Sequence, residues 1–542
     1  MSPLAPTLAA VIAVLLCTAS RTGPVPGDGP RDPHRDPLFT TSDACAVCHI
    51  AAPGASAMKV GDEEDVSPYY TWQATMMANS FRDPYFRAQM HKETAVAGEQ
   101  VQELCLRCHT PMVHHQRVHD GAPPPRFADA VEELEADDGV SCAVCHMISP
   151  DGLGERRTFS GRPSFNRERL IYGPYEDVDT RPMRGQVGYT PVAGAHIRSS
   201  ALCATCHTLL PEHHGRVFPE QTPYLEWRNS VFNDEIEGAD PEVARSCQQC
   251  HMAELPATRI ARTPMGSDFR IPVREGYRSH AFVGGNAFML DMLRDHRSDL
   301  YVDAEPEQLE AMAAATRAQL KERTARLTLG EVSLVEDELR FDLEVENLTG
   351  HKFPTGYPAR RAWLQIEVLV DGEVAFTCGE TDAGGRIVGV KDEQRIEHPS
   401  VVRSASDVVV YELVADDASG EPTTSLTQMA ERRKDTRLLP LGFRVDSPLA
   451  RDIAPVGLQG DRDFIGGSDR VSCRIRVGAA ARDRWEIRAT LLYQAVPPVW
   501  VDSLRGLDAE EAARFVRYYD DADKRPEVVA RVGRVADGPR DR

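Results

Sequence analysis

Five short runs of this sequence share one arrangement of sulfur and imidazole side chains: two cysteines three positions apart, with a histidine directly after the second. They are Cys45, Cys48 and His49; Cys105, Cys108 and His109; Cys142, Cys145 and His146; Cys203, Cys206 and His207; and Cys247, Cys250 and His251. C-x-x-C-H is the attachment sequence of c-type haem. Two thiolates on one helical turn reach the two vinyl groups of a porphyrin, and the adjacent imidazole swings under the iron as proximal ligand. The chain's Cys and His frequencies give roughly 0.01 such motif by chance. Zinc also uses C-x-x-C pairs, but it has no reason to place histidine after all five. A thioredoxin-like dithiol occurs once, between a strand and a helix. Disulfides three residues apart would leave the histidines unexplained. The expected cofactor is therefore haem c, five covalently attached. The first cysteines are 60, 37, 61 and 44 residues apart, which leaves too little chain around each for a core of side chains alone. The porphyrins must supply much of that core, with neighbouring rings close enough for electrons to pass.

The other face of each iron decides what the site does, because ligand identity sets potential and a vacant position admits substrate. Of 17 histidines, the five motif residues leave twelve. His196 precedes Cys203 by seven residues, and His91 lies in the helix-like DPYFRAQMHKE. His114 and His115 cluster with His119 after the second motif, as His213 and His214 do after the fourth. His280 precedes the Gly284-Gly285 turn, and His351 lies in TGHKFPTG. His280, His196, His351, His115, His91 and His114 are the distal candidates. His213, His296 and His398 read as solvated or packed side chains, and His34 falls in a Pro/Gly-rich arm. Met76 and Met77 offer a thioether alternative, although a Met stripe is more often core packing.

The elements that must position these residues follow from pattern. The apolar run at 8–16, with Ala19 and Ser20 behind it, reads as a secretory signal peptide over 1–20. No Lys or Arg precedes it, and Pro3 and Pro6 make it short for a membrane span. Residues 21–39 form a flexible arm. Residues 40–300 hold the motifs on short helices and long loops, a pentahaem cytochrome c domain. A connecting helix spans 301–326, where Leu309, Met312, Ala313 and Leu320 keep helical spacing and Thr316 interrupts the stripe. Over 327–500 the period changes to two. The stretches 339–347, 361–376, 407–414, 472–477 and 484–494 alternate apolar with polar, and Asp371-Gly372 sits where a hairpin turn belongs. That pattern predicts a C-terminal antiparallel β-sandwich. Cys378 and Cys473 lie within it, and an oxidising compartment permits them to pair. The tail, 501–542, reads as a short helix and charged, frayed sequence. The fold class is α+β multidomain. With 62 basic against 83 acidic residues, the net charge of −21 argues against nucleic acid and favours redox partners with basic docking surfaces.

Several stretches together resemble the multihaem cytochrome c superfamily that includes the tetrahaem cytochrome of ammonia oxidation and hydroxylamine oxidoreductase. They are YYTWQATMMANSFRDPYF, DDGVSCAVCH, TPYLEWRNS, SHAFVGGN and GHKFPTGYPARRAWLQ, and they cover most of residues 40–370. The resemblance implies a largely helical haem domain with stacked haems and histidine distal ligands, and it favours His280 and His351 among the candidates. It departs from the enzymatic members, since no C-x-x-C-K motif exists here and hydroxylamine oxidoreductase carries eight haems. The leading reading is an exported electron-transfer cytochrome in a respiratory or extracellular redox pathway, in the periplasm or outside the cell. The alternatives are a multihaem oxidoreductase with one open-site haem acting on a small nitrogen or sulfur compound, and a structural subunit of an electron conduit.

Overall fold

The computed structural model describes residues 37–542 except 62–63, 214, 459, 479–483 and 538–542. The signal peptide at 1–20, most of the arm at 21–39, His34 and His214 lie outside the described residues. The arm's last residues do not hang free: Leu38 and Phe39 are buried against Met112, Ala143 and Met147.

Up to residue 300 the chain is short helices joined by long connections. Each motif begins in a helix: Ser42–His49, Val101–His109, Cys142–Met147, Ser200–Ala204 and Cys247–His251. Serines start several of them. The Ser141 hydroxyl accepts from the Val144 N–H, and Ser246 forms a reciprocal box with Gln249, which satisfies first-turn N–H groups that have no helical partner. The helix Pro306–Arg323 buries Leu309, Met312, Ala313 and Leu320 on one face, and Thr316 is buried with them. Its hydroxyl interrupts the apolar stripe in chemistry but not in geometry.

Beyond it lie two main sheets. In the five-stranded one, Ser468–Arg476 and Ala325–Leu329 flank Glu338–Asn347 as antiparallel neighbours. Leu339, Phe341, Leu343 and Val345 are buried while Arg340 and Glu344 turn outward, as a strand covered on one face requires. In the seven-stranded sheet, Arg361–Val370 lies between Val410–Asp416 and Arg484–Gln494. It is covered on both faces: Leu364 and Ile366 join the core shared with the first sheet, and Trp363 packs in a separate cluster with Ile387 and Val410. The hairpin at Asp371-Gly372 is present, with Val370 opposite Glu373 and φ of 52° and 88° at the two turn residues. Two positive φ values in a two-residue loop match the right-handed strand twist, and glycine removes the steric cost at one of them.

One expectation is corrected. The tail carries its expected helix, Glu510–Asp521, but the stretch read as frayed forms a strand, Glu527–Asp537, that pairs with Arg484–Gln494. Its arginines obscured a strand register that buries Val529. Cys378 and Cys473, whose pairing the sequence leaves open, are both buried in the core shared by the sheets, with their thiols unbonded.

One cluster of buried side chains runs from Tyr85, Trp227 and Met289 through Leu309 to both sheets. A buried ion network crosses the same junction. Lys352 Nζ lies 2.6 Å from Asp435 Oδ2, with both side chains at 0% exposure. Arg437 grips Asp435 through Nε at 2.8 Å and reaches Glu226 Oε1 at 3.1 Å. Burial opposes ionisation of Asp435, but Arg437 and Lys352 hold its carboxyl well below the usual carboxylate range. Removing one partner strands the others as buried charges. Asp435→Asn is therefore expected to cost about 3–5 kcal/mol in denaturant unfolding of the holoprotein. A loss below about 1 kcal/mol would show that the network contributes little.

Candidate functional site

All fifteen motif residues line one cavity of about 1360 Å³, beyond the roughly 300–1,000 Å³ of a site for one small ligand. The motifs meet in a definite order. Cys45 neighbours Cys142, Cys108 neighbours Cys206, and Cys203 neighbours Cys247. Cys145 also lies beside Cys206. The first, third, fourth and fifth motifs thus form a series, with the second branching at the fourth. Serine hydroxyls tie the same neighbours together: Cys142 N–H donates to Ser42 Oγ at 3.3 Å, and Cys247 N–H donates to Ser200 Oγ at 2.9 Å.

Four of the five motif imidazoles use Nδ1 on a backbone carbonyl. The partners are Ile260 O at 2.9 Å for His49, Ser80 O at 3.0 Å for His109, Tyr172 O at 2.6 Å for His146 and Val283 O at 2.7 Å for His251. With Nδ1–H donated, Nε2 carries the free lone pair, the tautomer a metal takes. Burial pushes His109 and His207 down to about 4 and lowers His49 and His146, so these rings are neutral at pH 7. Phe86 stacks on His109 at 3.7 Å, fixing its plane.

Two distal candidates face motif histidines across the cavity. His280 stands opposite His146 with ring centroids 6.3 Å apart and planes 19° from parallel; His351 stands opposite His251 at 6.2 Å and 10°. Direct stacking would bring rings far closer. Two metal–nitrogen bonds of about 2.0 Å, plus about 1.1 Å from each nitrogen to its ring centre, give about 6.2 Å. Each pair is thus spaced for one metal between them. His280 and His351 also spend Nδ1 on carbonyls, of Arg278 at 3.1 Å and Lys352 at 2.8 Å. Gly350 lets the His351 loop press against the helix Pro223–Arg228: a Cβ there would meet Trp227 Cδ1 at 3.0 Å. Lys352 N–H and the Thr355 hydroxyl bind Glu226. The buried ion network therefore aims His351.

The other four candidates do not line the cavity. His196 lies in a short 3-10 turn and holds Ile148 O through Nε2 at 2.9 Å. His91 packs edge-on against Phe127. His114 and His115 pack on each other at 4.7 Å, and His115 abuts Phe165. His213, read as a bland side chain, instead lines the cavity from the hairpin Glu212–His213 and Arg216–Val217. Met76, Met77 and Met252 line it as well.

Sequence reasoning also missed a polar corner of the cavity. Glu220, Glu93, Tyr85 and Tyr357 line it, and both glutamates lie near the Cys105 thiol. Glu93 accepts hydrogen bonds from Ser425, Leu426 and Thr427, so it serves as a brace. Among the described residues, the Glu220 side chain accepts only from Gln221 Nε2, at 3.5 Å. The donor set, the tautomers and the paired ring spacing all fit covalently attached haem.

No family model matches the chain, and no curated protein matches it. Among solved structures, a penta-haem cytochrome c552 from Thermochromatium tepidum is similar, with a TM-score of 0.52 and 16% identity. The match covers 92% of this chain and 100% of that one, and it shows a shared fold of mixed helix and antiparallel sheet. Among the described residues, no helix is long and apolar enough to cross a membrane.

Burial pushes the Glu220 carboxyl up to about 8, so the fold keeps it protonated while the unfolded chain releases its proton above the ordinary carboxylate value. Folding then loses free energy as pH rises toward 8. Glu220→Gln is expected to stabilise the holoprotein by on the order of 3 kcal/mol at pH 7 and hardly at all at pH 4.5, in calorimetry at both values. A gain independent of pH would contradict this reading of the corner.

Proposed function

We propose that this protein is an exported pentahaem c-type cytochrome that carries electrons along a chain of closely packed haems in a respiratory or extracellular redox pathway. The observation that carries the reading is the single cavity lined by all five motifs, in which two motif histidines already face a second imidazole at 6.2–6.3 Å. When bound, haem supplies a one-electron iron couple. The protein's part is to place ten thiols for attachment, hold four motif imidazoles by Nδ1 so that Nε2 is free, and exclude water with an apolar wall. The likeness to the penta-haem cytochrome supports the haem number. The quoted stretches support membership of the superfamily of the tetrahaem cytochrome of ammonia oxidation. In this reading the two sheets form a β-sandwich domain that supports the haem domain and helps dock partners.

One observation favours a second reading, a multihaem oxidoreductase acting on a small nitrogen or sulfur compound. Among the described residues, only His213, His280 and His351 join the five motif histidines in lining the cavity, fewer than five distal positions require. The polar corner at Cys105 then offers a protonated carboxyl beside one site, a group suited to proton delivery.

The net charge of −21 supports basic redox proteins as partners, recruited by long-range attraction. The holoprotein is expected to show a mass increase of five haems, and a pyridine haemochrome assay should give five per chain. Cys250→Ala should leave its haem held by one thioether only, and Cys247→Ala/Cys250→Ala should reduce the count to four. A wild-type count below five would overturn the proposal. Electron transfer to a basic acceptor should slow at least tenfold between low and 0.5 M salt; a salt-independent rate would remove the steering argument.

A further inference from the structure

A second metal site lies far from the motifs in sequence, within the sheet region. His398, Asp461 and Asp469 bring donor atoms within 4.8 Å of one another. His398 and Asp469 are buried at 3% and 0% exposure. Both ring nitrogens of His398, Asp461 Oδ2 and Asp469 Oδ1 are buried without a hydrogen-bond partner. The remaining carboxylate oxygens are engaged: Asp461 Oδ1 accepts from the Asp463 N–H at 2.9 Å, and Asp469 Oδ2 accepts from the Tyr411 hydroxyl at 2.8 Å. Among the described residues, neither aspartate has a Lys or Arg ion-pair partner. Asp469 is fully buried and Asp461 partly so, with the His398 ring as the one basic group beside them among the described residues; two carboxylates converging there favour a bound positive charge.

The spacing indicates what supplies it. His398 Nε2 lies 3.3 Å from Asp469 Oδ2, longer than the roughly 2.7–2.9 Å of a charge-assisted hydrogen bond. Donors on one tetrahedral ion with bonds of about 2.0–2.1 Å stand about 3.3–3.4 Å apart. An imidazole with two carboxylates suits a divalent transition ion, and zinc above all; calcium and magnesium prefer all-oxygen shells. The Tyr411 hydroxyl holds Asp469 through Oδ2, the oxygen beside His398, and leaves Oδ1 unpartnered; Phe464 packs edge-on to His398 at 5.6 Å, the kind of outer contact that fixes a ligand. The geometry points to a structural zinc-class site formed by His398, Asp461 and Asp469, with water as the fourth ligand. It would tie the segment before strand Val401–Val402 to the loop at Asp461 and to strand Ser468–Arg476, neutralising both carboxylates.

The test is elemental analysis of the holoprotein, with haem iron as internal standard, together with titration by zinc chloride alone after chelator dialysis. One zinc per chain is expected, with saturable uptake and a raised melting temperature. His398→Ala should abolish uptake. Asp461→Asn, at a partly buried loop residue, should weaken it at least tenfold while keeping the full haem count, and so covers the case in which His398→Ala does not fold. No saturable zinc in the wild-type protein, calcium bound in its place, or unchanged uptake by Asp461→Asn would overturn the assignment.

Discussion

A buried imidazole that has donated its Nδ1–H to a carbonyl has one nitrogen left, and in an apolar cavity that nitrogen needs a metal or a proton donor. His49, His109, His146, His251, His280 and His351 all stand in this condition. Most of the architecture before residue 300 exists to maintain it. The carbonyls come from loops distant in sequence, such as Ile260 for His49 and Tyr172 for His146, so the long connections between motifs are the second half of each site. Burial disfavours protonation of His49, His109, His146, His280 and His351, and with haem attached the cysteines would fix which face of each porphyrin a ring meets.

The sheets belong to the same device. His351 lies beyond strand Glu338–Asn347 and reaches the cavity opposite His251. Its loop is held by Glu226 from the helix Pro223–Arg228 and by Lys352 on Asp435. Hydrophobic residues of equal volume would often stabilise as well as such a network. What charge adds here is register: Glu226 accepts from Lys352 N–H, Thr355 and Thr222 at once, so a slip of the loop strands several polar groups together.

Local chemistry was legible in the sequence, and long-range placement was not. Spacing alone identified the five motifs, and the Asp371-Gly372 hairpin, the strand Arg484–Gln494 and the helix at 306–323 follow from period and turn chemistry. The distal side was harder because a partner across an iron is chosen by tertiary approach. His196 looked well placed by helical spacing, yet a 3-10 turn gives its Nε2 to Ile148 O. His213 looked incidental, yet a two-residue-strand hairpin delivers it to the cavity wall. His280 and His351 were favoured by family resemblance rather than pattern. Glu220 carried no sequence signal, since only burial beside Cys105 distinguishes it from any surface glutamate. The last strand was hidden because its arginines read as a charged tail.

The central claim is that His146 with His280, and His251 with His351, each share one iron. Low-temperature electron paramagnetic resonance of the oxidised holoprotein addresses it directly. The account predicts low-spin ferric signals of rhombic form, as expected for opposed imidazoles with planes 19° and 10° from parallel. Spectra showing only high-spin ferric iron would contradict it.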